Sequence, residues 1–421
     1  MIQLVRGFKD ILPPETAVWQ HVENTARQHF ENFGFREMRP PVLEQAALFQ
    51  RSIGENTDIV EKEMYTFEGS KGTMLTLRPE ATASVVRAYI QHKLYASDPV
   101  CKFYTIGPMF RKERPQKGRY RQFHQINAEV FGVDSPQIDA QLIFMLMTYF
   151  ARLSITGLTA HLNSLGCPVC RPAFRRSLSD MLSARTDELC EDCVRRLDKN
   201  PMRILDCKKE PCRRVAADAP SMLDFLCGDC TAHFNAVKSA LDRMNIFYEI
   251  DPRLVRGLDY YTRTAFEIQT DELGAQNAVA GGGRYDNLVE MLGGPGQPAI
   301  GFAVGVDRLI ELVCAKTSFS DPGPDVFLLP MGEDAMEMAA LWACRLADAG
   351  VRTEADFSGR SLKALMKRAD RMEAKNVLII GEREIKENRA LLRNMKTSGQ
   401  VGIPMDRLVE AVCEEIAVQG V

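Results

Sequence analysis

Neither sign of charge dominates this sequence. Its 421 residues carry 53 Lys and Arg against 56 Asp and Glu, a formal net charge of −3. That balance excludes a strongly basic coat for nucleic acid and a disordered acidic chain, and leaves room for a locally basic surface. Long apolar runs are also missing. The longest, residues 142–150, falls far short of the roughly 20 residues a membrane-spanning helix needs. Residues 1–15 (MIQLVRGFKDILPPE) hold no apolar stretch of signal-peptide length. No membrane contact and a cytoplasmic location are therefore expected. There is no Walker A string and no glycine fingerprint after a first strand. AGGGRYD at 280–286 and GGPG at 293–296 are rich in glycine but have the wrong spacing for either. No repeat or low-complexity tract appears.

What is present is an ordinary globular composition, 45% apolar and 26% charged, in a chain too long for one core. The unusual count is twelve cysteines. Without an export signal they are expected as reduced thiols or metal ligands, not disulfides.

Residues 16–33 place Val18, Trp19, Val22, Ala26 and Phe30 on one helical face, with Gly34 to close the helix. Residues 36–43 read as extended, broken by Pro40 and Pro41, and residues 137–153 as helix. From 165 to 235 the character changes: apolar content thins and eight cysteines fall in pairs, Cys167/Cys170, Cys190/Cys193, Cys207/Cys212 and Cys227/Cys230. This reads as an inserted module of short helices. Strand, turn and helix signals resume over 247–270, 277–292 and 299–313. Residues 318–324 (SFSDPGP) read as a linker. Beyond it, strand-like segments at 325–330, 351–355 and 376–380 alternate with helical ones at 335–349 and 361–373, a separate small α/β domain.

The chemistry is concentrated in residues 101–132, read as two strands around a charged loop. In the second strand Arg121, Phe123, Gln125, Asn127 and Glu129 share one face, while Gln122, His124, Ile126, Ala128 and Val130 share the other. A face with Arg, Phe, Gln and Glu in line is a binding floor: the ring can stack on a flat ligand and arginines can hold anions. From Arg111 to Arg121 there are six basic residues and one acidic. The loop by itself is equally what a solvated hairpin tip looks like.

Arg111-Lys112-Glu113 followed by Phe123 resembles motif 2 of the class II aminoacyl-tRNA synthetases, and the string RKERPQKGRYRQFHQINAEVFG resembles specifically the histidyl-tRNA synthetase family. TLRPEATAS at 76–84 is similar to that family's histidine-binding loop, although the family usually has glycine where this chain has Ala81. VRGLDYYTRTAFEI at 255–268 and AGGGRYD resemble its two histidine-specific motifs, and AIGFAVGVDRLIELV at 299–313 resembles motif 3. The resemblance covers nearly the whole chain.

The resemblance implies an α+β fold: the class II antiparallel sheet flanked by helices, with a cysteine-rich helical insertion and a C-terminal α/β anticodon-binding domain. The implied boundaries are a catalytic core at 1–164 and 236–320, the insertion at 165–235 and the anticodon-binding domain at 325–421. It implies a histidine–tRNA ligase that uses ATP with Mg2+ to form histidyl-adenylate and pyrophosphate, then loads the 3′ end of tRNA(His). Because a carboxylate must attack an already anionic phosphate, charge neutralisation and positioning do most of the work. By motif, Arg111 holds the α-phosphate and the substrate carboxylate, Glu113 accepts from the adenine amino group and Phe123 stacks on adenine. Arg119 and Arg308 bracket the γ-phosphate, with adenine or ribose between Phe123 and Arg308. Glu80 and Thr82, helped by Gln125, take the histidine amino group. Glu129 and Tyr261 read the imidazole, and Tyr260 and Tyr285 line the same pocket. Arg256 is the implied catalytic arginine on the α-phosphate. Residues 16–43, as motif 1, imply a homodimer.

Taken alone, an arginine such as Arg308 is also a surface helix residue, and each tyrosine also a core residue. The cysteine pairs fit two four-cysteine Zn2+ sites, one site with the rest free, or buried thiols. The insertion is expected at the acceptor arm of the tRNA, although its twelve basic and eleven acidic residues between Cys167 and Cys230 do not decide it. Cys101, Cys314, Cys344 and Cys413 read as core cysteines. Residues 359–396 hold eleven basic and five acidic residues, a surface suited to phosphates or a solvated helical face. Two other readings remain: a synthetase-like regulatory subunit that senses histidine, and a zinc-ribbon nucleic-acid scaffold. The retained arginines and C-terminal domain argue against the first, and the arginine stripe against the second.

Overall fold

The computed structural model describes residues 2–419 except 55–56, 117, 274–276 and 318–322, so most of the expected linker lies outside the described residues. The chain divides into two compact units, Met1–Phe319 and Ser320–Val421. Among the described residues no helix is long and apolar enough to cross a membrane.

In the first unit α1 (Glu15–Glu31) leads to β1 (Arg36–Glu37). Next come β2 (Leu43–Gln45), α2 (Ala46–Ile53), β3 (Tyr65–Glu68) and β4 (Met74–Leu77), then α3 (Thr82–Gln91). The long hairpin β5 (Cys101–Phe110) and β6 (Gln122–Phe131) is followed by α4 (Pro136–Arg152) and β7 (Thr159–Ser164). The cysteine-rich segment expected as an insertion holds α5 (Arg171–Ser183), α6 (Glu191–Lys199), α7 (Glu210–Ala217) and the start of α8 (Gly228–Arg243). Then follow β8 (Tyr248–Ile250), β9 (Thr262–Gln269), β10 (Ala278–Arg284), α9 (Leu288–Met291), β11 (Ala299–Gly305) and α10 (Val306–Lys316).

Eight strands form one sheet in the order β1-β5-β6-β11-β10-β9-β7-β8. The expectation of an antiparallel sheet holds for its centre and is corrected at both edges, where β1 runs parallel to β5 and β8 parallel to β7. Strands of two and three residues carry too little alternation to signal their direction. One face of the sheet is apolar: Ile126, Ala128, Val130, Phe266, Ile268 and Phe302 pack against α1, α4, α8 and α10 in one core. As its spacing predicts, α1 buries Val18, Trp19, Val22, Ala26 and Phe30. Truncating one such buried side chain costs about 2–5 kcal/mol. The other face is paved with small residues. Asn127 pairs with Ala303, Ala303 with Gly281, and Gly281 with Glu267, so a glycine and an alanine lie between two polar groups across four strands. Ala81 sits at φ −100° and ψ −28°, ordinary right-handed backbone that a methyl group tolerates without strain.

The insertion has a small core of its own, and four of its ten fully buried residues are cysteines (Cys170, Cys193, Cys212, Cys230). α8 starts in that core but runs unbroken through residue 235, and its Phe234, Val237 and Leu241 belong to the main core. Arg196 and Arg203 of the insertion both reach Asp58, and Asn200 donates to Asp259 at 2.8 Å. Cys101 is buried as expected. The expectation that Cys314, Cys344 and Cys413 lie in the core is corrected: the first two are exposed, because α10 and α11 turn them away from their packed faces, and Cys413 on the last helix is half-buried.

The second unit holds β12 (Val326–Pro330), α11 (Glu333–Asp348), β13 (Thr353–Ala355), α12 (Leu362–Arg371), β14 (Asn376–Ile380), α13 (Glu382–Lys386), β15 (Arg389–Asn394), β16 (Gln400–Pro404) and α14 (Leu408–Gln419). Its sheet order is β13-β12-β14-β15-β16, parallel over the first three strands and antiparallel over the rest. α11 and α14 cover one face, with Trp342 and Leu346 in the core, and α12 covers the other through Leu365 and Ala369.

Candidate active site

The small residues on the sheet floor a cleft of about 1250 Å³ including its open mouth. Twelve of the thirteen residues expected in the histidine and ATP sites line it: Glu80, Thr82, Arg111, Glu113, Arg119, Phe123, Gln125, Arg256, Tyr260, Tyr261, Tyr285 and Arg308. Glu129 stands just behind them, bonded to two of the twelve.

The mouth is cationic and aromatic. The Arg111 guanidinium lies 5.1 Å from the centre of the Phe123 ring and donates from Nε to Pro79 O at 2.9 Å. Glu113 stands between Arg111 and Arg119, 3.8 and 3.3 Å away. A two-way backbone pairing of Gln116 and Arg119 closes the hairpin loop. Arg308, from the first turn of α10, donates to Ala278 O at 2.7 Å. Burial, then the nearby Arg119 cation, pulls Arg308 below its usual pKa. Two guanidinium groups that disfavour each other across a cleft favour a polyanion between them. Arg121 does not join them. Its guanidinium turns away to Glu113 O and Arg6 O, so the expected polar stripe begins at Phe123.

Arg256 lies over the middle of the floor. It donates to Glu267 at 2.9 Å and stacks 5.6 Å from the centre of the Tyr261 ring. A Cβ on Gly281 would occupy the space of this guanidinium, so the first glycine of AGGG is an opening made for Arg256. Glu267 was not anticipated. Its signal lay in the strand period: it sits one row across from Gly281 and faces the same way as Gly281 and Asn127.

The inner end is built from Tyr260, Tyr261 and Tyr285, whose ring centres are 4.8–6.5 Å apart. All three rings are buried, so the core and pocket readings of the tyrosines hold together. Glu129 accepts from Thr82 Oγ1 at 2.7 Å and from Tyr285 Oη. Its carboxylate fills the space that a Cβ on Gly301 would need. Burial pushes Glu129 up to about 8, against the pull of those two hydrogen bonds. Glu80 accepts from the Thr82 and Ala83 amides at 2.6 and 3.0 Å and so fixes the start of α3, while burial raises its pKa. Gln125 Oε1 and Asn127 Oδ1 are buried without a hydrogen-bond partner among the described residues. Such atoms cost about 1–3 kcal/mol each until a ligand satisfies them.

Apart from the cleft, the cysteine sulfurs converge as two quartets, Cys167/Cys170/Cys227/Cys230 and Cys190/Cys193/Cys207/Cys212, each within 4.8 Å overall. The sulfurs of Cys167 and Cys170 are 3.6 Å apart, those of Cys167 and Cys227 3.9 Å, and those of Cys190 and Cys207 4.0 Å. A tetrahedral Zn–S distance of about 2.3 Å places sulfurs roughly 3.8 Å apart. Each quartet also has a backbone amide aimed at a sulfur, Cys227 N to Cys170 at 3.1 Å and Cys190 N to Cys212 at 3.2 Å. Both quartets therefore have the donors and spacing to hold a metal ion.

A sheet of antiparallel centre, with arginines on its floor and the start of α10 at its rim, is the architecture of a class II aminoacyl-tRNA synthetase. The histidyl-tRNA synthetase family model matches residues 7–309, and the model of an anticodon-binding domain matches residues 325–415. The chain is 59% identical over 420 residues to a histidine–tRNA ligase of Desulforapulum autotrophicum, covering 99% of each. It is 54% identical to the one of Geobacter sulfurreducens, over 96% of this chain and 98% of that one. Among solved structures, the apo histidyl-tRNA synthetase of S. aureus superposes with a TM-score of 0.83 at 35% identity, covering 97% and 99% of the two chains. The chain belongs to the histidyl-tRNA synthetase family.

Proposed function

We propose that the chain is a histidine–tRNA ligase, which activates L-histidine with ATP to histidyl-adenylate and pyrophosphate and then transfers histidine to the 3′ end of tRNA(His). The observation that carries this reading is the division of one cleft into a cationic, aromatic mouth and an inner end with Glu129 among three tyrosines. ATP takes the mouth. Phe123 stacks on adenine with Arg308 opposite, Glu113 accepts from the adenine amino group, and Arg119 and Arg308 hold the γ-phosphate. Mg2+ enters with ATP as part of the substrate. Histidine takes the inner end, its amino group on Glu80, Thr82 and Gln125 and its imidazole on Glu129 and Tyr261, with Tyr260 and Tyr285 as walls. Two polar partners for two ring nitrogens reject an apolar ring of similar size.

Between the two substrates Arg111 and Arg256 neutralise the α-phosphate and the attacking carboxylate. The carboxylate oxygen forms a bond to the α-phosphorus as the bond to the bridging oxygen of pyrophosphate breaks, and pyrophosphate carries away that electron pair. Arg256, held by Glu267, takes up the charge that develops on the α-phosphoryl oxygens. No general base is needed because the attacking carboxylate is already ionised.

Residues 1–164 and 236–320 are read as the catalytic core, 165–235 as the insertion at the tRNA acceptor arm, and 325–421 as the anticodon-binding domain. The exposed apolar side chains Leu4, Val5, Leu12, Leu43, Phe67 and Met74 support a homodimer that covers them. A cytoplasmic location fits the thiol-rich insertion. The two cysteine quartets hold one structural Zn2+ each, with release of up to four protons as four thiols become ligands.

The test is exchange of labelled pyrophosphate into ATP with each of the twenty amino acids. Exchange with histidine alone is expected, and absence of exchange with all twenty overturns the reading.

A further inference from the structure

The quartet Cys167/Cys170/Cys227/Cys230 stands at the base of the insertion, and a polar residue just beyond each of its two cysteine pairs reaches the tyrosine end of the cleft. Arg171 follows Cys170 directly. Its guanidinium donates from Nε to Leu165 O at 3.1 Å and from Nη2 to the carbonyl of Tyr261. On the other side Cys227 caps α8 and Cys230 lies in its first turn, one turn before His233. His233 Nε2 meets Asp139 Oδ2 at 2.9 Å, and Asp139 is paired at 2.8 Å with Arg284, the residue before Tyr285. Asp139 and Arg284 are fully buried, and His233 is 9% exposed. The strand segment between these arms belongs to the same unit: Leu165 N donates to Arg263 O, and Arg263 N to Gly166 O, at 2.7 and 2.9 Å. Two separate routes thus lead from one set of four sulfurs to two pocket tyrosines. The other quartet, Cys190/Cys193/Cys207/Cys212, has one contact toward this end, Asn200 donating to Asp259 beside Tyr260, and that residue stands seven positions from the nearest cysteine.

We infer that metal binding at Cys167, Cys170, Cys227 and Cys230 positions the histidine pocket, by locking Arg171 onto Tyr261 and α8 onto the Asp139–Arg284 pair beside Tyr285. This rests on the zinc reading proposed above. The ion draws together two chain segments sixty residues apart, which are otherwise joined by the Cys227 amide donating to the Cys170 sulfur and by the small core of the insertion. With the ion bound, the starts of α5 and α8 are one rigid body. Without it they separate, and the Tyr261 carbonyl and the β10 end that carries Tyr285 lose their outer support. Arg171 is a positioning residue, since it holds the backbone of Tyr261 and does not line the cleft.

The experiment uses the full-length reduced protein as wild type, Cys230→Ser, Arg171→Ala and Arg171→Lys. Zinc and iron are measured by elemental analysis, and KM for histidine and for ATP by pyrophosphate exchange. The wild type is expected to hold about two zinc ions per chain and Cys230→Ser about one. Cys230→Ser and Arg171→Ala should each raise KM for histidine about tenfold and leave KM for ATP within twofold, with Arg171→Ala keeping both ions and Arg171→Lys recovering part of the loss. A Cys230→Ser protein that has lost one ion and keeps its KM for histidine within twofold overturns the inference and leaves the zinc reading standing. A wild type without metal overturns both. If Cys230→Ser does not fold, Arg171→Ala decides: a selective rise in KM for histidine supports the positioning role, and an unchanged value overturns it.

Discussion

In the proposed reaction Arg256 meets the heaviest demand made of any one side chain in the cleft, because there it must be cationic, fixed and close to two anions. Glu267 fixes it, Gly281 makes room for it, and the Tyr261 ring beneath it keeps its charge unscreened on one side. Arg256→Ala should lower the rate of histidine-dependent pyrophosphate exchange about 10²–10³-fold, the scale of losing one charge-stabilising group. Histidine affinity measured by calorimetry should stay within severalfold. Near-normal exchange would remove Arg256 from the reaction. Glu129 gives a prediction in pH. Its folded pKa of about 8 lies above the ordinary 4.5, so between those values the folded chain holds a proton that the unfolded chain releases. That contribution to stability is complete below about pH 4.5 and is lost as the pH rises to about 8. Without histidine, the melting temperature of Glu129→Gln should fall less between pH 5 and 8 than that of the wild type, and its KM for histidine should rise while that for ATP holds. Parallel melting curves across that range would place the Glu129 pKa elsewhere.

At the scale of elements, the buried pair of Asp139 on α4 and Arg284 on β10 joins the helix layer to the sheet. Asp139→Ala leaves Arg284 charged and buried, with Asp286 at 3.2 Å in place of its fully buried partner. The expected loss is about 3–5 kcal/mol in urea unfolding, and a loss under about 1 kcal/mol would show that the sheet and helices hold without it. This pair was not legible in the sequence, because its two members lie on separate elements and nothing local marks them. β6 was legible to within a residue, since ten residues of strict alternation with a polar face leave little choice of register. β15, β16, α13 and α14 were not anticipated. β15 and β16 form a hairpin whose strands mix charged and apolar residues, and α13 is only five residues long. The four site arginines were named from motif resemblance; strand period alone would have led to Phe123, Gln125, Asn127 and Glu129, and also to Arg121, which turns away.

Across the whole molecule, a net charge of −3 conceals where the cations stand. Residues 359–396 carry the basic excess, and the structure sorts it. Arg360, Lys363, Lys367 and Arg371 are exposed, whereas Arg368 is spent on Glu354 and Asp356, both at 2.6 Å. Each phosphate contact adds roughly one to the slope of log affinity against log salt. Replacing Arg360, Lys363, Lys367 and Arg371 with glutamine should therefore weaken tRNA binding, flatten that salt slope and leave histidine-dependent pyrophosphate exchange within twofold. An unchanged slope would assign the tRNA surface elsewhere. The second unit has its own two-faced core, which is why the activation step can be separated from tRNA recognition in this way.

The cysteine quartets carry a consequence for biosynthesis. They are nested along the chain: Cys190, Cys193, Cys207 and Cys212 all lie between the two halves of the other set. A growing polypeptide therefore completes the inner quartet first, and the outer one waits until Cys230 has emerged eighteen residues later, a delay of about 1–4 s at ordinary rates of translation. The distal lobe can fold around its own sulfurs while Cys167 and Cys170 still lack partners. The outer quartet then seals the insertion as α8 is made, the helix that docks it on the catalytic core.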